Sequence, residues 1–295
     1  MTRTADGPAG EPGAVRAEQD HRKYRRPEPS FVRAVATALG DARTVLEVGD
    51  GAVSSVPADR AVTAATSTNA IDTDAASDTD ATTDTDSDTD TDTDTDTQRD
   101  SDSDSDADAD ADADATDGSG TWALPFPADR FDAAVVTFPV EGWVDPERGL
   151  AEVRRVTQGP IVVLTSDPDR VPDFWLAEYA PEVTAAEAGR YPPVGRIAAA
   201  LAGDTVTTTP LPIPFTCVDG FSEAYYARPE RLLDAAARRA DPAWGLVDEL
   251  TARRSVAALR NALDSGDWDR AHGALRTQPS RVGSLVLVTA VPPRA

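Results

Sequence analysis

Thr44-Val45-Leu46-Glu47-Val48-Gly49-Asp50-Gly51 is a short apolar run that contains one acid and ends in two glycines one residue apart. A continuous run of Val and Leu suits a strand buried on both faces, as in a parallel sheet. Glycine lets the backbone turn sharply and approach a ligand where a Cβ would collide. A nucleotide-like cofactor would sit at Gly49 to Gly51, although the same pattern also serves an ordinary tight turn.

Upstream, Ser30 is placed to cap a helix through Leu39, with Phe31, Val32, Val35, Ala38 and Leu39 on one face and Gly40 to end it. Before that helix, His21-Arg22-Lys23-Tyr24-Arg25-Arg26 is a basic run that either solvates or closes over a ligand. Residues 1–20, rich in Gly, Pro and charge, predict a disordered tail.

Downstream, Ala61-Val62-Thr63-Ala64-Ala65 reads as a second strand, reached so soon after Gly51 that a helix between them has one or two turns at most. Then aspartate recurs at most second positions from Asp72 to Asp114. One face of such a strand would be all carboxylate, with charges about 7 Å apart inside a Debye length of about 8 Å. Residues 72–117 are therefore expected to be a disordered, solvated insert in a folded domain. The glycine and closing glutamate of an EF-hand calcium loop do not accompany it.

Ala133 to Phe138 is the next buried strand, and Asp145-Pro146-Glu147 starts a helix to about Val156, with Asp145 as N-cap. Gly159-Pro160 breaks that helix before a strand at Ile161 to Thr165, and a strand, helix and strand at this spacing make a βαβ unit. Short helices are expected at Pro172–Tyr179 and Pro193–Leu201, strands at Thr205–Ile213 and Ser284–Val291, and mainly helix over Phe221–Leu275. The helical stretch between the last two strands either covers a pocket or adds packing.

Of the net charge of −24, residues 72–117 carry −19, leaving −5 on the other 249 residues. Lys23 is the only lysine, an Arg-for-Lys, acid-rich composition that fits a salt-adapted, haloarchaeal-type protein or a GC-rich coding sequence. Negative charge and the lack of Arg interleaved with aromatics argue against nucleic-acid binding. With Cys217, His21 and His272 as the whole Cys and His complement, neither an intrachain disulfide nor a His/Cys zinc site is available. No apolar run reaches membrane-spanning length. A cytoplasmic, soluble protein is expected.

Residues 45–51, Ala123-Leu124-Pro125-Phe126-Pro127, Arg130-Phe131-Asp132-Ala133, Trp143-Val144-Asp145-Pro146-Glu147 and Leu150 to Val156 together resemble the class I S-adenosylmethionine-dependent methyltransferases of the small-molecule, type 11-like kind. The resemblance implies an α/β, Rossmann-like sheet, mostly parallel and seven-stranded, with a helical cap insertion at 214–282. It implies one discontinuous domain over 21–71 and 118–295, with S-adenosylmethionine at the carboxyl ends of the first strands. By resemblance Glu47, Gly49, Gly51, Thr66 and Leu124 belong to the cofactor site, with no metal. Val53 stands where relatives carry a third glycine, and Thr66 aligns with their ribose-binding acid, absent here between Ala61 and Ile71.

An active methyltransferase acting on a small molecule is one reading, in which Glu141, His272, Tyr225 or Tyr226 could serve as a base. A catalytically inactive methyltransferase-like binding or regulatory module is the alternative, motivated by Val53 and Thr66. A nicotinamide-dependent oxidoreductase needs a longer helix after the glycines and an acid after the second strand.

Overall fold

The computed structural model describes residues 21, 23–49, 53–65, 123–137, 143 and 145–293. The chain divides into a unit of residues 1–71 with 122–295 and a second of 72–121, and the second lies outside the described residues, as does the tail at 1–20.

Six strands form one sheet: β1 (Thr44–Val48), β2 (Ala61–Ala65), β3 (Ala133–Thr137), β4 (Ile161–Ser166), β5 (Thr205–Pro214) and β6 (Ser280–Val291). Their order is β2-β1-β3-β4-β6-β5. β1 pairs in parallel with β2 and β3, and β3 with β4, whereas β6 runs antiparallel to both β4 and β5. Seven strands were expected; six lie among the described residues, and 66–122, between β2 and β3, are outside them.

The helices are α1 (Pro29–Leu39), α2 (Pro146–Val156), α3 (Pro181–Ala188), α4 (Val194–Ala200), α5 (Ala235–Arg239), α6 (Glu249–Asp264) and α7 (Asp267–His272). Strand side chains alternate between two cores, as the period of two requires. Val45, Ala133, Val135, Val162 and Leu164 pack with α1 and the region after β5, whereas Leu46, Val48, Ala134, Val136, Ile161 and Val163 pack with α2 and α4. Burial on both faces explains why these strands read as continuous apolar runs.

Local chemistry sets the element ends. Asp145 caps α2, accepting from Arg148 N at 3.1 Å, with Pro146 in the first turn. At α1 the cap is Glu28, not Ser30. Its Oε1 accepts from Ser30 N and Oγ at 3.1 and 2.9 Å, and its Oε2 from Val218 N at 3.0 Å. The longer carboxylate reaches back over Pro29 and ties the segment after β5 to the helix start. Residues 53–60 contain bends and turns but no helix, so the β1–β2 link is tighter than a helical crossover.

The helix expected over Pro172–Tyr179 is instead two 3-10 turns, Val171–Asp173 and Trp175–Glu178, split at Phe174, which is extended. Phe174 and Trp175 are drawn into the core, and Trp175 Nε1 donates to Tyr226 O at 2.9 Å. β6 begins four residues earlier than expected. Buried Glu223 fixes that stretch, accepting from Ser284 N at 3.2 and 3.0 Å and from Ser284 Oγ at 2.7 Å.

Candidate functional site

The sheet order reverses between β1 and β3, which brings their carboxyl ends together at the point where open α/β sheets bind ligands. Gly49 follows β1 and lies against Thr137, the last residue of β3. A Cβ built on Gly49 would stand 3.3 Å from Thr137 O and 3.4 Å from Thr137 Cβ, so a side chain there would push the two strand ends apart.

Beside this junction is a cavity of about 80 Å³. That is several times the roughly 10–15 Å³ that a single water requires. Thr137, Leu164, Thr165 and Ser166 wall it from the ends of β3 and β4, Val53 and Ser55 from the loop after β1, and Phe31 and Leu285 from α1 and β6. Among the described residues the buried Thr137 Oγ1 has no hydrogen-bond partner, and Ser55 and Ser166, residues 5% and 7% exposed, also line the cavity.

The remaining wall is charged. Arg25 donates through Nε to Asp219 Oδ1 at 2.5 Å. Arg190 donates to Glu187 Oε2 at 2.9 Å, and the Tyr191 hydroxyl donates to Glu187 Oε1. Buried Asp241 accepts from Ser222 N at 2.8 Å, from Ala243 N at 3.2 Å and from the Ser222 hydroxyl. Burial raises the Glu187 pKa, and the Asp241 charge raises it further against the pull of Arg190. Burial likewise pushes the Tyr191 phenol well up, with Glu187 adding to it. For Arg25, burial opposes the charged form, but Asp219 outweighs it and the guanidinium pKa is raised.

The residues singled out from the sequence fall in different places. Glu47, half-buried in β1, accepts from Ser54 Oγ at 2.9 Å, folding the loop that carries Val53 back toward the strand. Gly49 is at the junction, whereas Gly51 and Thr66 lie outside the described residues. Leu124 is buried in the core on the α2 side and does not line the cavity; its N donates to Glu152 Oε2 at 3.1 Å, and Arg155 donates to its carbonyl at 3.1 Å. Of the candidate bases, Glu141 is outside the described residues. His272 contacts Glu178 at 3.1 Å, Tyr226 donates to Gln278 O at 2.7 Å, and burial pushes the Tyr225 phenol up to about 12. None of these three lines the cavity.

Arg25 comes from the basic run at 21–26, Val53 from the glycine loop, and Asp219, Phe221 and Asp241 from the expected cap at 214–282, all stretches with a functional reading. As single residues, Glu187, Arg190, Tyr191, Asp219 and Asp241 went unnoticed. The i, i+3 and i+4 spacing of Glu187, Arg190 and Tyr191 was the available signal, but it equally describes a solvated helix end.

No family model matches the sequence. A protein of Anabaena variabilis, described as a methyltransferase from an antibiotic biosynthesis pathway, superposes with a TM-score of 0.64 over 91% of this chain and 99% of its own, at 16% identity. The fold is that of a Rossmann-like methyltransferase. At that identity the likeness is one of fold. A 56-residue stretch is 41% identical to the rice (Oryza sativa subsp. japonica) chloroplastic 2-methyl-6-phytyl-1,4-hydroquinone methyltransferase 2, and spans 19% of this chain and 16% of that relative.

The close approach of Gly49 to Thr137, the unpartnered Thr137 hydroxyl and the Glu47 carboxylate fit a polar, nucleotide-like group at this end of the sheet. Among the described residues no cluster of three or more His, Cys, Asp or Glu is placed to hold a metal, and no helix is long and apolar enough to cross a membrane.

Proposed function

We propose that this chain is an S-adenosylmethionine-dependent methyltransferase acting on a small molecule. The observation that carries the proposal is the polar cavity at the carboxyl ends of β3 and β4 and after β1, beside Gly49, on a methyltransferase fold. Glu47, Gly49 and Gly51 would flank the cofactor. Thr66 would stand beside its ribose, and Leu124 would act through the segment it anchors on α2. When bound, the cofactor supplies a methyl group on a positively charged sulfur, electrophilic without further activation.

The protein's own task is to hold the acceptor in line with that methyl and keep water out. Thr137, Ser55 and Ser166 offer hydroxyls for orientation, and Phe31, Leu164 and Leu285 supply the apolar wall. Residues 214–282, which contribute Asp219, Phe221 and Asp241 to the cavity, would act as its cap and set acceptor choice. We also infer a cytoplasmic, salt-adapted protein in which 72–117 is a solvated insert.

Calorimetric titration of S-adenosylmethionine and S-adenosylhomocysteine in multimolar potassium chloride tests the proposal. Micromolar binding of both, retained on deleting 72–117 and lost in Gly49→Val, is expected. No heat from protein shown to be folded would leave the inactive, methyltransferase-like binding module as the better reading.

A further inference from the structure

A second, larger pocket of about 500 Å³ shares no lining residue with the cavity, although both are built on the basic run and on the segment after β5. Those two segments meet where Gly220 N donates to Tyr24 O at 2.8 Å. The pocket's charge is opposite in sign to that of the chain: Lys23, Arg26, Arg228 and Arg231 line it against one acid, Asp234. Asp234 accepts from the Tyr24 hydroxyl at 2.5 Å and from Ala236 N at 2.9 Å, bonds that hold its pKa low with help from the charges of Lys23 and Arg238. Two more carboxylates stand near enough to act on Cys217 in the pocket wall. Asp219 is paired with Arg25, and Glu28 accepts from Ser30 and from Val218 N. With Asp234 and Glu28 both set against the four cations, two positive charges are left over.

The excess is built in at Arg228. Its half-buried guanidinium lies over the rings of Phe215 and Tyr225 at 5.4 and 5.7 Å, and Nη2 donates to Ala224 O at 3.2 Å and Cys217 O at 3.4 Å. These neutral groups fix the side chain without cancelling its charge. Its Nε is buried with no hydrogen-bond partner, and among the described residues no carboxylate oxygen lies within 4.0 Å of Arg26, Arg228 or Arg231. A guanidinium cannot shed its proton, so one withdrawn from water without a counter-ion is costly and is relieved by an anion from solution.

We propose that this pocket binds a phosphorylated small molecule, with Arg228 as the anchor and Lys23, Arg26 and Arg231 as further donors to the phosphate. A phosphate monoester carries about 1.5 to 2 negative charges at pH 7, which matches the excess, and guanidinium forks suit its oxygens. The volume admits the rest of a small organic molecule, with Tyr24 and Tyr225 as its aromatic wall. The site does not rest on the methyltransferase reading.

The test uses the full chain in the lowest potassium chloride at which circular dichroism shows it folded, because salt screens these charges. Phenyl phosphate and phenyl sulfate, alike in shape but unequal in charge, are titrated by calorimetry at pH 7.5. The phosphate is expected to bind about tenfold to a hundredfold more tightly, the worth of a hydrogen bond to a charged group. It should lose most of that margin at pH 5, where its second proton is largely bound. Arg228→Gln is expected to weaken the phosphate by a similar factor. Arg26 and Arg231 are exposed and their side chains make no hydrogen bond among the described residues, so Arg26→Gln with Arg231→Gln should weaken it about tenfold at an unchanged melting midpoint. Arg260→Gln, which removes an exposed cation outside the pocket, should change the affinity less than twofold. Equal affinity for the two esters at pH 7.5, or no binding of either, overturns the proposal. So does an Arg260→Gln effect as large as that of the Arg26→Gln, Arg231→Gln pair, because binding would then follow overall charge. Displacement of phenyl phosphate by S-adenosylhomocysteine overturns it as well, by placing the phosphate in the first cavity.

Discussion

Glu223 and Gly283 offer the sharpest test of how the helical segment after β5 is locked to the sheet. Both Glu223 carboxylate oxygens lie against Ser284, accepting from its N and its hydroxyl. A Cβ on Gly283 would stand 1.8 Å from Glu223 Oε1, 2.3 Å from its Cδ and 2.7 Å from its Oε2. Only hydrogen at position 283 lets the carboxylate reach Ser284. Glu223→Ala removes two hydrogen bonds to a charged acceptor and leaves a buried N–H and hydroxyl unpaired, a loss of about 3 to 5 kcal/mol. For a domain of this size that lowers the melting midpoint by about 6 to 20 °C. Gly283→Ala expels the same carboxylate and should cost a similar amount. The three atoms nearest the new Cβ all belong to Glu223, so in the Glu223→Ala background Gly283→Ala should cost little more. Urea and thermal unfolding of the two single variants and the double variant, followed by circular dichroism, measure the coupling, expected at about 2 to 4 kcal/mol. Additivity within about 0.5 kcal/mol would refute the reasoning.

Further outcomes follow from other sites. Gly49→Ala needs Thr137 to give by a few tenths of an ångström, so S-adenosylmethionine binding should weaken by about tenfold, whereas Gly49→Val should abolish it without unfolding the protein; titration calorimetry and circular dichroism check both. Asp132 accepts from Thr44 N and Arg43 N at 2.9 and 2.8 Å, bonds that hold its pKa below the ordinary aspartate value. Its stabilisation is therefore complete above the unfolded pKa of about 3.9 and fades as pH falls through the lower folded value. The stability gap between wild type and Asp132→Asn should be constant from pH 7 to 5 and close below about pH 4 in acid titrations. Cys217, buried and with its thiol pushed up to about 12 by burial, should react with a disulfide reagent at pH 8 far more slowly in the folded protein than in guanidinium.

What could be read in advance was what local sequence dictates. The β1 run, the Asp145-Pro146 helix start and the strands at 133 and 161 each satisfy a short-range rule, and the structure places elements there with small shifts at their ends. Ser30 failed as a cap because a competing acceptor two residues earlier was long enough to do the same work and buried enough to bind Val218 as well. Periodicity cannot tell strand direction, so the antiparallel course of β6 was invisible, as was its earlier start at Ser280. The charged wall was hidden for another reason: Arg25, Asp219 and Asp241 lie far apart in the chain, and each alone looks like a surface charge. Their meaning is made by the fold, which carries them to one cavity.

β6 has one more consequence, for the order of assembly. It separates β5 from the parallel strands, and among the described residues β5 pairs with no other strand. The ribosome therefore makes Thr205–Pro214 well before the residues that can bind it, and some 65 residues of helix and turn must be synthesised while that strand waits. Its edge carries Thr at four of its first five positions and Pro at three of its last five. Threonine keeps the strand wettable and proline removes backbone donors, a composition suited to a segment that must stay unpaired without sticking to its neighbours.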